Sequence, residues 1–112
     1  MSRRNPMLLI ADMIDSGQKI MAYTHEMAYD DFILDSKTVD AVIRNFEIIG
    51  EAANRLPEEF KEQYPEIEWH RIRGLRNRVV HDYSGIDYAI VWQIKESFLP
   101  RTLKEIIDIP KQ

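Results

Sequence analysis

The sequence predicts an all-α fold: an antiparallel bundle of four to five helices in a single domain spanning residues 1–112. Three observations carry this. Apolar residues recur at spacings of three and four over several long stretches. Prolines and capping side chains break those stretches at short intervals. No stretch alternates apolar and polar residues with a period of two, so no sheet is expected.

Asn5-Pro6 marks a helix start, with a capping side chain followed by a residue that needs no N–H in the first turn. Ile10, Met13, Gly17, Ile20 and Met27 then follow helical spacing, which predicts a first helix from Pro6 to about Met27, ended by a polar loop at Tyr29-Asp30-Asp31. Asp35 or Ser36 caps a second helix. Its apolar stripe is Val39, Val42, Ile43, Phe46, Ile49, Gly50, Ala53 and Leu56, and its polar side carries Arg44, Asn45, Glu47 and Glu51. Gly50, Ala52 and Ala53 are small enough to let a neighbouring backbone come close. Pro57 starts a short third helix that Pro65 stops.

Glu66 to Trp69 lead into a fourth helix with Ile72, Leu75 and Val79 on its buried side, ending in a turn at Asp82-Tyr83-Ser84-Gly85. Asp87 caps the last helix, along which Ile90, Val91, Ile94, Phe98, Leu103, Ile106 and Ile107 keep the period. Pro100 is expected to kink or split that helix near Ser97 to Leu99.

With 112 residues and 45% hydrophobic content, the chain can bury a core without cross-links. It has no cysteine, which excludes disulfides, thiolate metal sites and Cys nucleophiles and fits a reducing compartment. Arg3 and Arg4 are followed by an apolar run too short for a secretory signal. No stretch approaches transmembrane length, so a cytoplasmic protein with no membrane partner is expected.

The net charge of −4 is unevenly distributed. Residues 1–68 balance at −7, residues 69–81 carry four arginines and no acid, and residues 82–112 balance at −1. A positive patch in an acidic background can focus a phosphate locally. The alternative is a solvated face making ion pairs with the acidic remainder.

Several kinds of site are absent. His25-Glu26 lacks the second histidine of a zinc helix, because Tyr29 stands there. No E-x-x-H spacing precedes His25, His70 or His81. There is no phosphate-cradling glycine loop, no nucleophile elbow and no aromatic stacking platform. No metal and no cofactor are expected.

What remains is the run from Arg73 to Tyr83, eleven residues that hold guanidinium groups, an amide, an imidazole and a phenol. Asn77 and His81 are four apart and would share a helix face. Arg76 and His81 are five apart, roughly 140° around an ideal helix. They converge if Arg76 reaches around or if the helix ends near His81, and the turn signal after His81 favours the second. Such a group suits phosphodiester cleavage in RNA. There the 2′-OH is the nucleophile, an imidazole moves protons, and a bidentate guanidinium stabilises charge on the phosphate oxygens. The alternatives are a histidine capping the last carbonyls of its helix and a solvated arginine face.

Arg76, four residues, His81, one residue and Tyr83 resemble the R-x(4)-H-x-Y motif of HepT proteins in the HEPN superfamily, and Asn77 matches the polar residue after the motif arginine. The segment from Asp40 to Ala53 is similar to the second-helix signature of that family. Tyr64 to Trp69 and Gly85-Ile86-Asp87 with Val91-Trp92 are similar too, so the resemblance covers about residues 5–107.

The resemblance implies a HEPN-like helical domain that forms homodimers, with the motifs of two chains lining a shared cleft. It implies a metal-independent ribonuclease that acts as the toxin of a toxin–antitoxin pair. Arg76 and His81 would be catalytic, supported by Arg73, Asn77, Glu47 and Glu51. The implied antitoxin is a separately encoded minimal nucleotidyltransferase that transfers AMP to the motif tyrosine, here Tyr83. Glu47 and Glu51 could orient Arg76 or His81, or be plain solvent-exposed carboxylates. A non-catalytic HEPN-like binding or scaffold module is the competing function. A structural helical adaptor is a third reading, which leaves the basic segment without a role.

Overall fold

A computed structural model describes residues 5–81 and 85–111, with His81 described through its backbone only. It is an all-α bundle. The two long helices are α1 (Pro6–Tyr23) and α3 (Ser36–Arg55), with a short α2 (Tyr29–Ile33) between them. The short α4 (Glu58–Glu62), α5 (Trp69–Arg73) and α6 (Leu75–Val79) follow. The chain closes with α7 (Tyr88–Gln93), a π-helical turn (Ile94–Phe98) and α8 (Leu99–Ile107). Leu9 and Asp12 share a groove with Ile48, Ala52 and Arg55, whereas Tyr23 shares one with Lys37, Thr38 and Ala41, so α1 and α3 run antiparallel.

The caps form as the sequence predicts. Asn5 Oδ1 accepts from Met7 N–H at 2.8 Å, Asp35 Oδ1 from Thr38 N–H at 3.1 Å, and Asp87 Oδ1 from Ile90 N–H at 3.2 Å. The Thr38 backbone N–H holds the Asp35 carboxyl below its ordinary range. Pro57 precedes α4 as its cap. Pro100 lies just past the π-helical turn, where Leu99 N–H reaches back five residues to Ile94 O. Widening that turn accommodates a residue that cannot donate.

Elsewhere the structure departs from the expectation. Helix α1 stops at Tyr23, not near Met27, because buried Thr24 turns its Oγ1 back to Ile20 O at 2.8 Å and Glu26 takes a positive φ of 62°. Tyr29-Asp30-Asp31 is not a loop but the start of α2. Asp31 there accepts from Ala28 N–H at 2.9 Å, and Phe32 is buried against Trp92 at 5.1 Å between ring centroids. The expected fourth helix is broken at Gly74 into α5 and α6. One antiparallel pairing, Val80–His81 with Gly85–Ile86, joins the helices; strands of two residues are too short for a period of two to register. Gly85 sits there at φ 78°, a conformation glycine adopts without strain. Asp82, Tyr83 and Ser84, expected to form a turn, lie outside the described residues.

The buried hydrophobic residues form one cluster that includes Ile72, Leu75 and Val79 on α5–α6 and every apolar position expected on the second helix except Gly50, which is itself buried. Two expectations fail. Ile107 is 46% exposed, and Asn45, expected on the polar side, is buried with Nδ2 donating to Ala41 O at 2.8 Å. Among the described residues no helix is long and apolar enough to cross a membrane.

The contact that places the functional region is at Gly50. A Cβ added there would lie 3.1 Å from Ile72 O and 3.5 Å from Arg73 O, so the α5 backbone rests directly on α3. The Trp69 indole anchors the start of α5 by donating to Lys61 O and Tyr64 O at 3.2 and 3.1 Å. Gly50→Val is expected to lower the unfolding free energy by about 1–3 kcal/mol, the range for a side chain forced into a filled contact. Urea denaturation followed by circular dichroism measures this. A variant as stable as the parent would mean that α3 and α5 are not in this contact.

Candidate active site

Helix α3 buries one face, and its opposite side carries Glu47, Glu51 and Asn54 at positions i, i+4 and i+7, a polar stripe on a single helix face. Because α5 lies on Gly50, this stripe faces His70 and Arg73 of α5, Gly74, and Arg76 and Asn77 of α6. Together they line an open groove of about 540 Å³. One wall is acidic and polar; the other carries the cations.

The arginines of the basic segment have different fates. Arg71 is committed to the fold: its Nη1 donates to Glu68 at 2.9 Å and its guanidinium stacks over the Phe98 ring at 4.5 Å. Glu68 also accepts from Arg101 Nη2 at 2.8 Å, which ties the start of α5 to α8. The Arg71 hydrogen bond, with the Arg101 charge beside it, holds the Glu68 carboxyl below the usual range. Arg76 instead enters the groove. Its Nε donates to Glu47 Oε2 at 3.2 Å, and its side chain stays 51% exposed. Glu47 thus orients a guanidinium that water and a ligand can both reach. Among the described residues Arg73 has only a loose partner, Glu58 Oε1 at 4.0 Å.

Of the residues expected at the site, Arg73, Arg76, Asn77, Glu47 and Glu51 line this one groove. Of the two carboxylates that could orient Arg76 or His81, Glu47 bonds Arg76. Glu51 Oε1 accepts from Arg55 Nη2 at 3.0 Å, one turn along the same helix. Helix α6 ends at Val79, and Val80 is already extended at φ −121° and ψ 122°. The i, i+4 relation between Asn77 and His81 therefore does not carry through, and the helical separation of Arg76 from His81 no longer applies. The His81 side chain and Tyr83 lie outside the described residues.

A family model described as ribonuclease HepT-like matches residues 13–109. The chain belongs to the HepT-like ribonuclease family. A Methanocaldococcus jannaschii protein whose name proposes an RNase is 38% identical over 111 residues, covering 99% of this chain and 92% of that one. The probable ribonuclease HepT of Thermococcus cleftensis is 36% identical over 91 residues, 81% of this chain and 83% of that one. A Caldanaerobacter subterraneus protein whose name proposes an RNase is 37% identical over 86 residues, 77% and 70% of the two chains. No solved structure matches.

In this HepT-like chain the groove also contains two residues that motif reading missed, His70 and Asn54. The sequence motifs bear on His70 only as a metal ligand. The available signal was spacing: Asn54 completes the Glu47–Glu51 stripe, and His70 precedes Arg73 and Arg76 at intervals of three. Among the described residues no group of three or more His, Cys, Asp or Glu is placed to hold a metal ion.

Arg76 and Glu47 form a partly exposed pair, and such pairs are worth at most about 1 kcal/mol. Arg76→Ala is accordingly expected to leave the unfolding free energy within about 1 kcal/mol of the parent in denaturant titration. A loss of several kcal/mol would make Arg76 a support of the fold instead.

Proposed function

We propose that this chain is a metal-independent endoribonuclease that works as a homodimer in the cytoplasm, as the toxin of a toxin–antitoxin pair. The observation that carries the reading is the groove itself. It holds an arginine oriented by a carboxylate and open to solvent, on a helix that ends two residues before the motif histidine. Family membership supplies RNA as the substrate class.

In this reading an imidazole takes the proton from the 2′-OH, O2′ attacks phosphorus, and the P–O5′ bond breaks. A second acid returns a proton to the departing oxygen, leaving a 2′,3′-cyclic phosphate. Arg76 binds the non-bridging oxygens, where negative charge grows, and Glu47 holds its guanidinium in place. His81 moves the protons. One imidazole cannot serve both sides of one phosphorus, and two chains related by a two-fold axis supply two. Asn77 and Glu51 line the same groove as substrate contacts.

Regulation in this reading falls on Tyr83. A phenol, with an ordinary pKa of about 10, is a poor proton carrier at neutral pH. It can still attack the α-phosphorus of ATP on a cognate minimal nucleotidyltransferase, releasing pyrophosphate. The attached AMP would bring a phosphate beside Arg76 and His81 and compete with the RNA backbone.

The test uses the purified chain on single-stranded RNA. Arg76→Ala and His81→Ala are each expected to lose at least about 100-fold in cleavage rate, the scale of a lost charge stabiliser or proton carrier. Excess EDTA should change nothing, and 2′-deoxyribose at the cut site should block cleavage. Tyr83→Phe should keep cleaving RNA when a co-expressed nucleotidyltransferase silences the parent, with the mass adduct on Tyr83 found in the parent only. Full activity in either alanine variant, or cleavage at a 2′-deoxy linkage, contradicts the reading.

A further inference from the structure

We infer that His70 and Arg73 form a second phosphate-binding subsite, which holds the phosphodiester next to the one being cleaved. The inference rests on the ribonuclease reading above and gives its substrate a minimum extent: a single-stranded run carrying at least two phosphodiesters, not an isolated dinucleotide step.

The first support is the sorting of cations by partner. Arg71 is held by Glu68 and Phe98, Arg55 by Glu51, and Arg76 by Glu47. Arg73 faces Glu58 at 4.0 Å, and that carboxylate is itself 75% exposed. So long and solvated a contact contributes little, and exchanging it for a phosphate costs little. His70 has no hydrogen bond or ion pair to any described residue, although it lines the groove. Its neutral ring carries one N–H and its protonated ring two, so it can donate to a phosphate oxygen in either state. Arg73 can offer a bidentate fork to the same group.

The second support is position. His70, Arg73 and Arg76 follow at intervals of three and open on the same groove. His70 and Arg73 stand one turn apart on α5, whereas Arg76 stands on α6 beyond the break at Gly74, so the two phosphates would be held from separate helices. At about 540 Å³ the groove has the size of a pocket that takes a drug-sized ligand, and a lone phosphate would leave most of it empty.

The third support is the opposite wall. Glu47 and Glu51 repel phosphate, so the backbone of a bound strand must follow α5–α6. The amide of Asn54 then faces the sugar or base between the two phosphates. A strand laid this way puts one phosphodiester at Arg76 and a neighbour at His70 and Arg73.

The test is a cycle between protein and substrate. The probe is a mixed-sequence single-stranded oligoribonucleotide that the parent cleaves. It is prepared with a neutral methylphosphonate at the linkage on the 5′ side of the cut, on the 3′ side, or at neither. In the parent, one of the two neutral linkages is expected to raise KM about tenfold, the worth of one charge-assisted hydrogen bond. In the His70→Ala/Arg73→Ala protein the same linkage should cost less than about twofold, and Arg73→Lys should restore part of the parent's sensitivity. The slope of log affinity against log salt, measured by anisotropy on the 2′-deoxy form of the probe, should fall by about 0.7 for Arg73→Ala. Arg101→Ala removes the same charge outside the groove and should leave the methylphosphonate effect as it is in the parent. Equal sensitivity to the neutral linkages in parent and double variant would overturn the subsite, as would a parent indifferent to both. If the parent cleaves no RNA, the ribonuclease reading itself fails. If the parent cleaves and only the coupling is missing, the subsite fails alone.

Discussion

The site depends on a single close approach. Helix α3 can lie against the backbone of α5 only because position 50 has no side chain, since a Cβ would meet Ile72 O at 3.1 Å. That contact sets a basic segment beside the polar stripe of α3, within ion-pair reach of Glu47. A bulkier residue would push the walls apart, and Arg76 would lose the carboxylate that orients it. The contact thus fixes both a piece of the core, through buried Ile72 and Leu75, and the geometry of the groove.

Three of the four arginines of residues 69–81 show how one charged run can serve two ends. Arg71 binds Glu68, which also holds Arg101, and so ties α5 to α8. Arg73 and Arg76 point into the groove, the first loosely partnered and the second held by Glu47. In a chain with a net charge of −4, cations that are locally concentrated but not fully neutralised attract phosphate at one place while the rest of the surface repels it. The lysines follow the same economy: Lys61 is buried and donates to Ala53 O at 3.2 Å near the end of α3, and Lys95 lies over the Trp92 ring at 4.0 Å.

The bundle was legible where burial and capping agree. The stripe from Val39 to Leu56 is buried throughout, and Asn5, Asp35 and Asp87 cap the helices they precede. Pro100 announced the disturbed turn before it, because a missing N–H has only a few structural remedies. What escaped depends on tertiary contacts that no local pattern encodes. Asn45 looks polar by type but satisfies its amide inside its own helix and can be buried. The early stop of α1 goes with the Thr24 hydroxyl turned back to Ile20 O, and the break at Gly74 falls directly after the α5 backbone that rests on Gly50. At the site, the motif pointed to Arg76 and its neighbours, but the sequence left open whether Glu47 or Glu51 meets Arg76, which the structure pairs with Glu47. Spacing puts Asn54 on the Glu47–Glu51 stripe and His70 in step with Arg73 and Arg76, but that these two faces meet follows only from the approach at Gly50.

The proposed function requires RNA to lie in the groove between α3 and α5–α6. The most direct measurement is the change in backbone amide resonances as a non-cleavable 2′-deoxy-substituted oligoribonucleotide is added to isotope-labelled protein. The largest shifts are expected at Glu47, Gly50, Arg73, Gly74, Arg76 and Asn77, with the α1–α8 contact at Gly17 and Leu103 unmoved. Shifts centred on the α1–α8 contact, with the groove residues unchanged at saturation, would contradict that placement.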